Sequence, residues 1–166
     1  MDVVQREEWG ARPPRKQPQS LRQAGQRGLV VHHSGSKHEQ RADHGQCAGV
    51  VQAIQRFHQD ARGWNDVAYS WLACQHGSLY VGRGQGFRTA AQGTDAGNDA
   101  WHAVCFLGHG DTWAWVPGNV DPLLEARRRV LLFNSRATLV WPHLRFHSTT
   151  CPGGALREWC RQFPDR

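Results

Sequence analysis

The stretch from Trp141 to Gly154 places the strongest constraint on how this chain can fold, because it holds two histidines and a cysteine that a proline follows directly. Imidazole and thiolate groups are the ligands that zinc prefers. We predict that Cys151 is the N-cap of a helix and that Pro152 takes its first position, where a missing N–H costs nothing. The positive end of the helix dipole would then favour the thiolate form of Cys151.

A second histidine-bearing stretch far upstream strengthens this prediction. Residues 28–34 form an apolar run that ends in His32, His33 and Ser34, which is typical of a buried strand. Strand ends are where α/β proteins place their chemistry. Taken alone, His32 fits a hydrogen-bonded core histidine better than a metal ligand, because histidine is often partly buried for structural reasons.

Helical stripes and short apolar runs alternate along the chain. Asp43 and Gln46 resemble a capping pair for a helix that ends at Gly63. Asp121 followed by Pro122 indicates another helix with Asp121 as its N-cap, and a last helix lies near the C-terminal end. Strands are predicted at 28–34, 69–75, 78–83, 102–107 and 138–141, with long loops at 84–100 and 108–119.

These elements predict an α/β fold of the layered α+β kind. We expect a single mixed central β-sheet of about five strands flanked by about three helices, in one domain over residues 1–166. Residues 1–27 are expected to form an N-terminal arm that packs on the domain and is anchored by Trp9. His58 lies one residue off the apolar stripe of the first helix, so it is predicted to pack or form hydrogen bonds rather than bind a metal.

The charge balance is basic, with 20 Lys and Arg against 14 Asp and Glu and a net charge of +6. A diffuse positive field suits a polyanion such as an anionic cell wall, and ordinary solubility explains it equally well. No nucleic-acid recognition motif is present, so we expect no nucleic-acid partner. No apolar run is long enough to insert in a membrane, and the first residues lack the apolar stretch of a signal peptide.

Five cysteines, an odd number, do not form the framework of a small disulfide-rich domain. Cys74 and Cys105 lie in apolar runs and are interpreted as buried small hydrophobic residues. Cys160 lies on the apolar face of the last helix. Among the five, only Cys151 is predicted to have a polar, histidine-rich setting; the remaining cysteine is Cys47.

Five motifs occur in order along nearly the whole chain: Arg6-Glu7-Glu8-Trp9-Gly10-Ala11, Val31-His32-His33-Ser34, residues 63–69 ending in Tyr69, Tyr80-Val81-Gly82-Arg83-Gly84, and His143 with Cys151-Pro152-Gly153 eight residues later. Together they resemble the zinc-dependent N-acetylmuramoyl-L-alanine amidases of the phage-lysozyme and peptidoglycan-recognition-protein type. The resemblance implies hydrolysis of the amide bond between N-acetylmuramic acid and L-alanine in bacterial peptidoglycan.

The resemblance also implies a set of site residues. One Zn²⁺ per chain would be held by His32, His143 and Cys151, with His147 as a rival to His143. Tyr69 falls on the catalytic tyrosine, and Thr149 falls where the family has a residue beside the metal. Without the resemblance, Tyr69 fits a core aromatic of a strand and Thr149 fits a turn hydroxyl. No carboxylate is placed to protonate the leaving amine, which leaves His147 and Tyr69 as candidates.

Substrate contacts are expected from Asn98, Trp64, Gln92 and His147. Asn98 could instead set a turn with left-handed backbone geometry, and Trp64 fits a packing residue better than a platform for a sugar. Gln92 stands where many members of the family have a histidine, so its contact rests on that position alone.

Two other interpretations stay open: a peptidoglycan-binding module, and a nucleic-acid-binding domain, which the basic charge balance and Arg83 between two glycines suggest but no recognition motif supports. A peptidoglycan-binding module without activity is possible in this family, although such members typically lose the zinc cysteine, which is present here. The resemblance leans towards a phage endolysin, a monomer held in the host cytoplasm until its release onto the wall. No separate wall-binding module is expected, and surface arginines such as those at 127–129 would partly replace one.

Overall fold

A computed structural model describes residues 1–22, 26–36, 43–111 and 120–163. Its strands are β1 (Asp2–Val4), β2 (Gly28–His33), β3 (Trp71–Ala73), β4 (Ser78–Val81), β5 (Trp101–Phe106) and β6 (Leu139–Pro142). They form one sheet in the order β1-β4-β3-β5-β2-β6. Only β3 and β4 pair in the antiparallel sense, as the predicted hairpin, so the sheet is mixed as expected.

The described residues contain four α-helices: α1 (Cys47–Arg56), α2 (Asp95–Ala100), α3 (Asp121–Phe133) and α4 (Gly154–Cys160). A 3₁₀ turn precedes α1, and the Asp43 N–H donates a hydrogen bond to the Gln46 side-chain oxygen there, which confirms the predicted capping pair. A π-helical turn extends α1 through residues 57–61. No helix in the described ranges is both long and apolar enough to cross a membrane.

Three differences from the sequence prediction concern element bounds. β1 lies inside the predicted arm, and α2 lies inside the predicted loop at 84–100, so the sheet has six strands rather than about five. The third helix begins with Asp121 already helical and Val120 as its N-cap. Part of the predicted loop at 108–119 and part of the arm lie outside the described residues.

The two faces of the sheet are covered by different helices because side chains alternate along each strand. Val31, Trp71 and Phe106 face one way and pack under α3 and α4. Leu72 and Cys105 face the other way and pack with Val51 of α1 and with Trp9. The helices therefore lie on both sides of the sheet, and the site described below opens on the α1 side.

Trp9 anchors the N-terminal segment, as predicted. Its side chain is 1% exposed, and its indole N–H donates to the Val81 carbonyl at 2.9 Å. Arg6 forms an ion pair with Asp66 at 3.0 Å. With β1 paired to β4, these contacts join the start of the chain to the hairpin.

Candidate metal centre

His32 lies at the end of β2, with its side chain directed to the α1 side. Its neighbour Val31 packs in the core under α3, and alternation along the strand places His32 on the opposite face. There it pairs in register with Cys105 of β5 and is only 2% exposed. The parallel sheet thus presents this imidazole at the carboxyl ends of its central strands.

Two further donors come from the segment that follows β6. His143 begins a 3₁₀ turn immediately after the strand, and Cys151 lies in the turn before α4. The ligand atoms of His32, His143 and Cys151 all lie within 4.8 Å of one another. The Cys151 sulfur is 3.8 Å from His32 Nδ1, and the two imidazole centroids are 4.3 Å apart.

The prediction that Cys151 caps a helix is wrong. The last helix begins at Gly154, and its N-cap is Gly153 with φ +90°. Burial raises the pKa of Cys151 to about 11, although the His33 backbone N–H donates to the sulfur at 3.4 Å and lowers it. The thiolate is therefore not favoured by a helix dipole, and it needs a cation beside it.

Gly110 allows the Cys151 turn to pack closely against a neighbouring loop. A Cβ added to Gly110 would lie 1.6 Å from the Pro152 carbonyl oxygen. The Gly110 carbonyl in turn accepts a hydrogen bond from the Ala155 N–H at 3.1 Å. This close backbone contact holds the turn, and with it the Cys151 sulfur, against β2.

The donor set fits a zinc ion. Neither ring nitrogen of His143 has a hydrogen-bond partner among the described residues, although both are buried. Burial lowers the pKa of His32 and brings that of His143 to about 4, so both rings are neutral near pH 7. Neutral imidazole is the form that binds metal, and imidazole and thiolate are both ligands that zinc prefers.

Gln92 lies beneath this centre rather than in contact with solvent, which corrects the prediction of a substrate contact. It is 0% exposed, and its amide nitrogen donates to Thr89 Oγ1 at 3.1 Å and to the Trp101 carbonyl at 3.2 Å. The Gln92 side chain raises the pKa of His32 against the lowering by burial. The Gln92 oxygen and His32 Nε2 are both buried without a hydrogen-bond partner among the described residues.

Asn98 also serves the fold; the predicted turn with left-handed geometry is wrong, and its substrate contact stays a prediction. It lies within α2, at 9% exposure, and no described residue other than glycine has a positive φ. Its side-chain oxygen accepts hydrogen bonds from the Gln92 N–H at 3.0 Å and from Thr89 Oγ1 at 3.4 Å. Asn98 therefore supports the loop that carries Gln92.

A cleft of about 530 Å³ opens above the three donors. Tyr69 lines it half-buried, with its ring centroid 5.3 Å from that of His32. Thr149 lines it as well, and its hydroxyl oxygen accepts a hydrogen bond from the Cys151 N–H at 3.2 Å. The structure therefore brings both predicted catalytic residues to the same cleft as the three predicted ligands.

The wall of the cleft opposite the donors is aromatic. Trp64 packs on His58 with ring centroids 4.8 Å apart. His58 Nδ1 accepts a hydrogen bond from the Ala68 N–H at 3.1 Å, which confirms the predicted hydrogen-bonding role. Burial lowers the pKa of His58 to about 4. Arg62 is the one Arg, Lys, Asp or Glu side chain among the described residues that line this cleft.

His147 lies outside the group. It is exposed, and its ring centroid is 6.2 Å from that of His143. The group of donor atoms within 4.8 Å contains His143 and not His147.

Sequence reasoning missed a second group of possible metal ligands. His44, Cys47, Cys74 and His76 have donor atoms within 4.8 Å of one another, so the statement that only Cys151 lies near histidines is wrong. The available signal was the pair of short spacings, His44-x-x-Cys47 and Cys74-x-His76, which lie far apart in the sequence.

Comparisons with known proteins find relatives among amidases and peptidoglycan-recognition proteins. No protein-family model matches the chain. The N-acetylmuramoyl-L-alanine amidase of Mus musculus is 32% identical over 162 residues, which cover 94% of this chain and 29% of that protein. The chain thus spans less than a third of that amidase. Peptidoglycan-recognition protein SC1a of Drosophila melanogaster is 30% identical over 165 residues, which cover 95% of this chain and 85% of that protein.

The fold is shared with a solved structure. Wild-type Drosophila PGRP-LB matches with a TM-score of 0.84 and 25% identity, over 98% of this chain and 94% of that chain. The match therefore includes the strands and turns that carry the three donors.

Proposed function

Because this chain belongs to the family of peptidoglycan-recognition proteins and N-acetylmuramoyl-L-alanine amidases, we propose that it is a zinc-dependent amidase that cleaves the bond between N-acetylmuramic acid and L-alanine in bacterial peptidoglycan. The observation that carries the proposal is the meeting of His32, His143 and Cys151 donor atoms within 4.8 Å, on the floor of a cleft that Tyr69 and Thr149 line.

The donor set suits catalysis better than a purely structural role. Three protein ligands leave a tetrahedral zinc ion one open position. When bound, zinc polarises a carbonyl and lowers the pKa of a water molecule to about 7. Two neutral imidazoles and one thiolate hold the ion firmly while leaving a net charge of +1 on the site.

Tyr69 and Thr149 are proposed to stabilise the reacting amide. Both hydroxyl groups belong to side chains that line the cleft, and a positioned donor is most effective where negative charge develops on the carbonyl oxygen. Thr149 already accepts from the Cys151 N–H, which orients its hydroxyl proton away from that bond and leaves it for the substrate.

The proton for the leaving amine does not come from His58 in this proposal. With a pKa of about 4 this ring is neutral at pH 7 and not the acidic imidazolium, and its Nδ1 is occupied by the Ala68 N–H. No Asp or Glu is among the described residues that line the cleft. Tyr69 and the exposed His147 stay the predicted donors.

A second candidate function is recognition of peptidoglycan without cleavage. It is supported by SC1a, a relative of which this chain covers 85% and which is named for recognition. It requires the same cleft but not the donor set, so loss of the metal would leave binding intact.

The experiment compares wild type with Cys151→Ala, using Cys160→Ala as the control for removal of a buried thiol. Zinc content is measured together with new L-alanine amino termini released from purified peptidoglycan. We expect release by wild type and Cys160→Ala and at least a 100-fold loss in Cys151→Ala, since a metal ligand is removed. Wild-type protein that sediments with cell walls but releases no termini would refute the amidase and favour recognition.

The endolysin role, the location in host cytoplasm until release, and the monomeric state are further proposals that rest on the resemblance. An endolysin of this kind should clear a suspension of susceptible bacterial walls from outside, with no second protein. Cleavage of soluble muropeptides without clearing of intact walls would argue against the lytic role while leaving the amidase in place.

A further inference from the structure

The group formed by His44, Cys47, Cys74 and His76 is separate from the cleft. None of the four lines it. The cleft uses Ala53, Ile54 and Phe57 at the C-terminal end of α1, whereas Cys47 is the first residue of that helix. The other pair, Cys74 and His76, lies at the turn between β3 and β4.

We propose that these four residues form a second, structural zinc site that joins the start of α1 to the β3–β4 hairpin. The observation is the convergence of two thiols and two imidazoles, with all four donor atoms within 4.8 Å of one another. Two cysteines and two histidines are a frequent structural zinc set, and four protein ligands leave no open position for catalysis.

The separations between donor atoms match a tetrahedral ion. Bond lengths of about 2.3 Å to sulfur and about 2.0–2.1 Å to nitrogen place sulfur and nitrogen ligands about 3.6 Å apart. The His76 Nδ1 lies 3.4 Å from the Cys47 sulfur and 3.7 Å from the Cys74 sulfur. The His44 Nδ1 lies 4.0 Å from the Cys74 sulfur.

The burial of the four side chains also fits an enclosed metal ion. Cys47 is 3% exposed and Cys74 is 1% exposed, and both sulfurs belong to the core between α1 and the sheet. His44 and His76 are exposed and cover the sulfurs from the solvent side, with ring centroids 5.5 Å apart. An ion held there would be closed off by its own ligands.

Local hydrogen bonds hold each half of the group in place before any ion arrives. On the hairpin, the Cys74 N–H donates to the Ser78 carbonyl at 3.0 Å, and the Gly77 N–H donates to the Cys74 carbonyl at 3.2 Å. On the helix, the Asp43–Gln46 cap fixes the turn that carries His44. The two halves are therefore preorganised, which lowers the entropy cost of binding.

Thiolate ligands select the metal. Soft sulfur donors favour zinc over the hard cations magnesium and calcium. A disulfide between the two cysteines is the competing chemistry, but it gives no role to the two imidazoles.

The experiment measures zinc per chain in four proteins after dialysis against metal-free buffer: wild type, Cys151→Ala, His76→Ala, and the double variant. We expect two, one, one and no zinc ions, respectively. His76 is exposed, so its loss should not prevent folding, and Gln75→Ala in the same turn is the matched control with two zinc ions. Release of L-alanine termini should survive in His76→Ala.

Cobalt provides a second readout that does not depend on activity. In the Cys151→Ala background, bound Co²⁺ should show the absorption of a tetrahedral ion with thiolate ligands, and His76→Ala should abolish it. Equal zinc in Cys151→Ala and its His76→Ala derivative would overturn the proposal. A mass two hydrogens lower, from a Cys47–Cys74 disulfide in freshly purified protein, would overturn it as well. If only the proposed catalytic centre is wrong, wild type should hold one zinc ion per chain, and His76→Ala should lose it.

Discussion

At the residue scale, the side chain beneath His32 decides which nitrogen of that ring can meet a metal. The Gln92 amide nitrogen is bonded to Thr89 and Trp101, while its oxygen and His32 Nε2 are buried without a partner among the described residues, so we expect this oxygen to accept from His32 Nε2–H. This contact would hold the proton on Nε2 and turn Nδ1, the atom nearest the Cys151 sulfur, towards the ion.

Gln92→Ala should therefore weaken zinc binding at this centre by about 10–100-fold, the usual effect of losing a group that orients a ligand. Competition with a chelator measures the affinity, and Gln92→Glu should retain most of it because the acceptor is kept. Gln55→Ala is the control, since Gln55 is equally buried but bonds to Asp66 instead. Equal zinc affinity in Gln92→Ala and Gln55→Ala would show that Gln92 does not orient His32.

His102 makes a separate prediction about acid stability. It is fully buried, stacks on Trp71 with centroids 5.3 Å apart, and accepts the Gly86 N–H at 3.0 Å. Burial lowers its pKa from 6.5 to about 3. Below pH 6.5 the unfolded chain takes up a proton that the folded chain refuses, so stability is complete above that pH and declines as pH falls towards 3.

His102→Gln should flatten this decline by up to about 1.4 kcal/mol per pH unit, the limit for one group. Glutamine keeps an acceptor for the Gly86 N–H but does not titrate. Urea unfolding at several pH values from about 4 to about 7 measures the slope. The same dependence of unfolding free energy on pH in both proteins would show that other groups cause the loss of stability in acid.

Residue roles were predictable where motifs of the family mark them. Imidazole and thiolate side chains are possible ligands in general, and the resemblance selects His32, His143 and Cys151 among them, since His32 taken alone fits a core histidine. Gln92 could not be placed, because an amide in a loop can face either solvent or core. Cys74 is interpreted as a hydrophobic residue because it lies in an apolar run, and only the packing of α1 on the hairpin brings it and Cys47 to His44 and His76.

At the scale of elements, the turn that carries Cys151 depends on its contact with Gly110. A Cβ at residue 110 would overlap the Pro152 carbonyl oxygen at 1.6 Å, so the turn has to move away. Gly110→Ala should lower amidase activity by about 100-fold, as expected when a catalytic group is displaced by about 1 Å.

The control variant for Gly110→Ala is Gly49→Ala. Gly49 lies in α1, and a Cβ added there would meet nothing within 4 Å. That variant should keep full activity and gain about 0.5–1 kcal/mol of stability, because alanine favours the helix. Peptidoglycan release by each variant gives the test, and full activity in Gly110→Ala would mean that the turn adapts without moving the sulfur.

The elements that sequence patterns missed are those held by distant contacts. β1 has three residues and is stabilised by pairing with β4. α2 consists of Asp95-Ala-Gly-Asn-Asp-Ala100, which has low helix propensity; its cap at Thr94 and the hydrogen bonds of Asn98 hold it in place. The longer elements, such as α3 and β5, have clear periodicity and were predicted within a few residues.

At the scale of the whole molecule, some of the positively charged side chains make contacts with other residues of the fold. Glu125 accepts hydrogen bonds from Arg128 at 2.5 Å and from Arg129 at 2.9 Å, and the Arg127 guanidinium lies 4.8 Å from the centre of the Phe163 ring. The three arginines predicted to replace a wall-binding module therefore have structural contacts. Removing them would leave Glu125, which is 8% exposed, without its partners.

Exposed arginines outside this group are better probes of wall binding. Arg56→Gln with Arg136→Gln, both at exposed positions, lowers the net charge from +6 to +4. Binding to anionic walls should weaken and lose part of its salt dependence, because exposed charges act through a screened field. Cosedimentation at several salt concentrations measures this. If wall binding changes neither with salt concentration nor with the substitutions, the positive charge serves solubility only.

The route of the chain around the metal centre also sets how an ion would leave it. His32 belongs to β2, which is paired on both sides, by β5 and β6. His143 and Cys151 instead follow β6, the strand at the edge of the sheet. Local opening at an edge costs less free energy than global unfolding. Metal exchange should therefore follow the opening rate of residues 143–151, and a sample could lose and regain its ion with no change in circular dichroism.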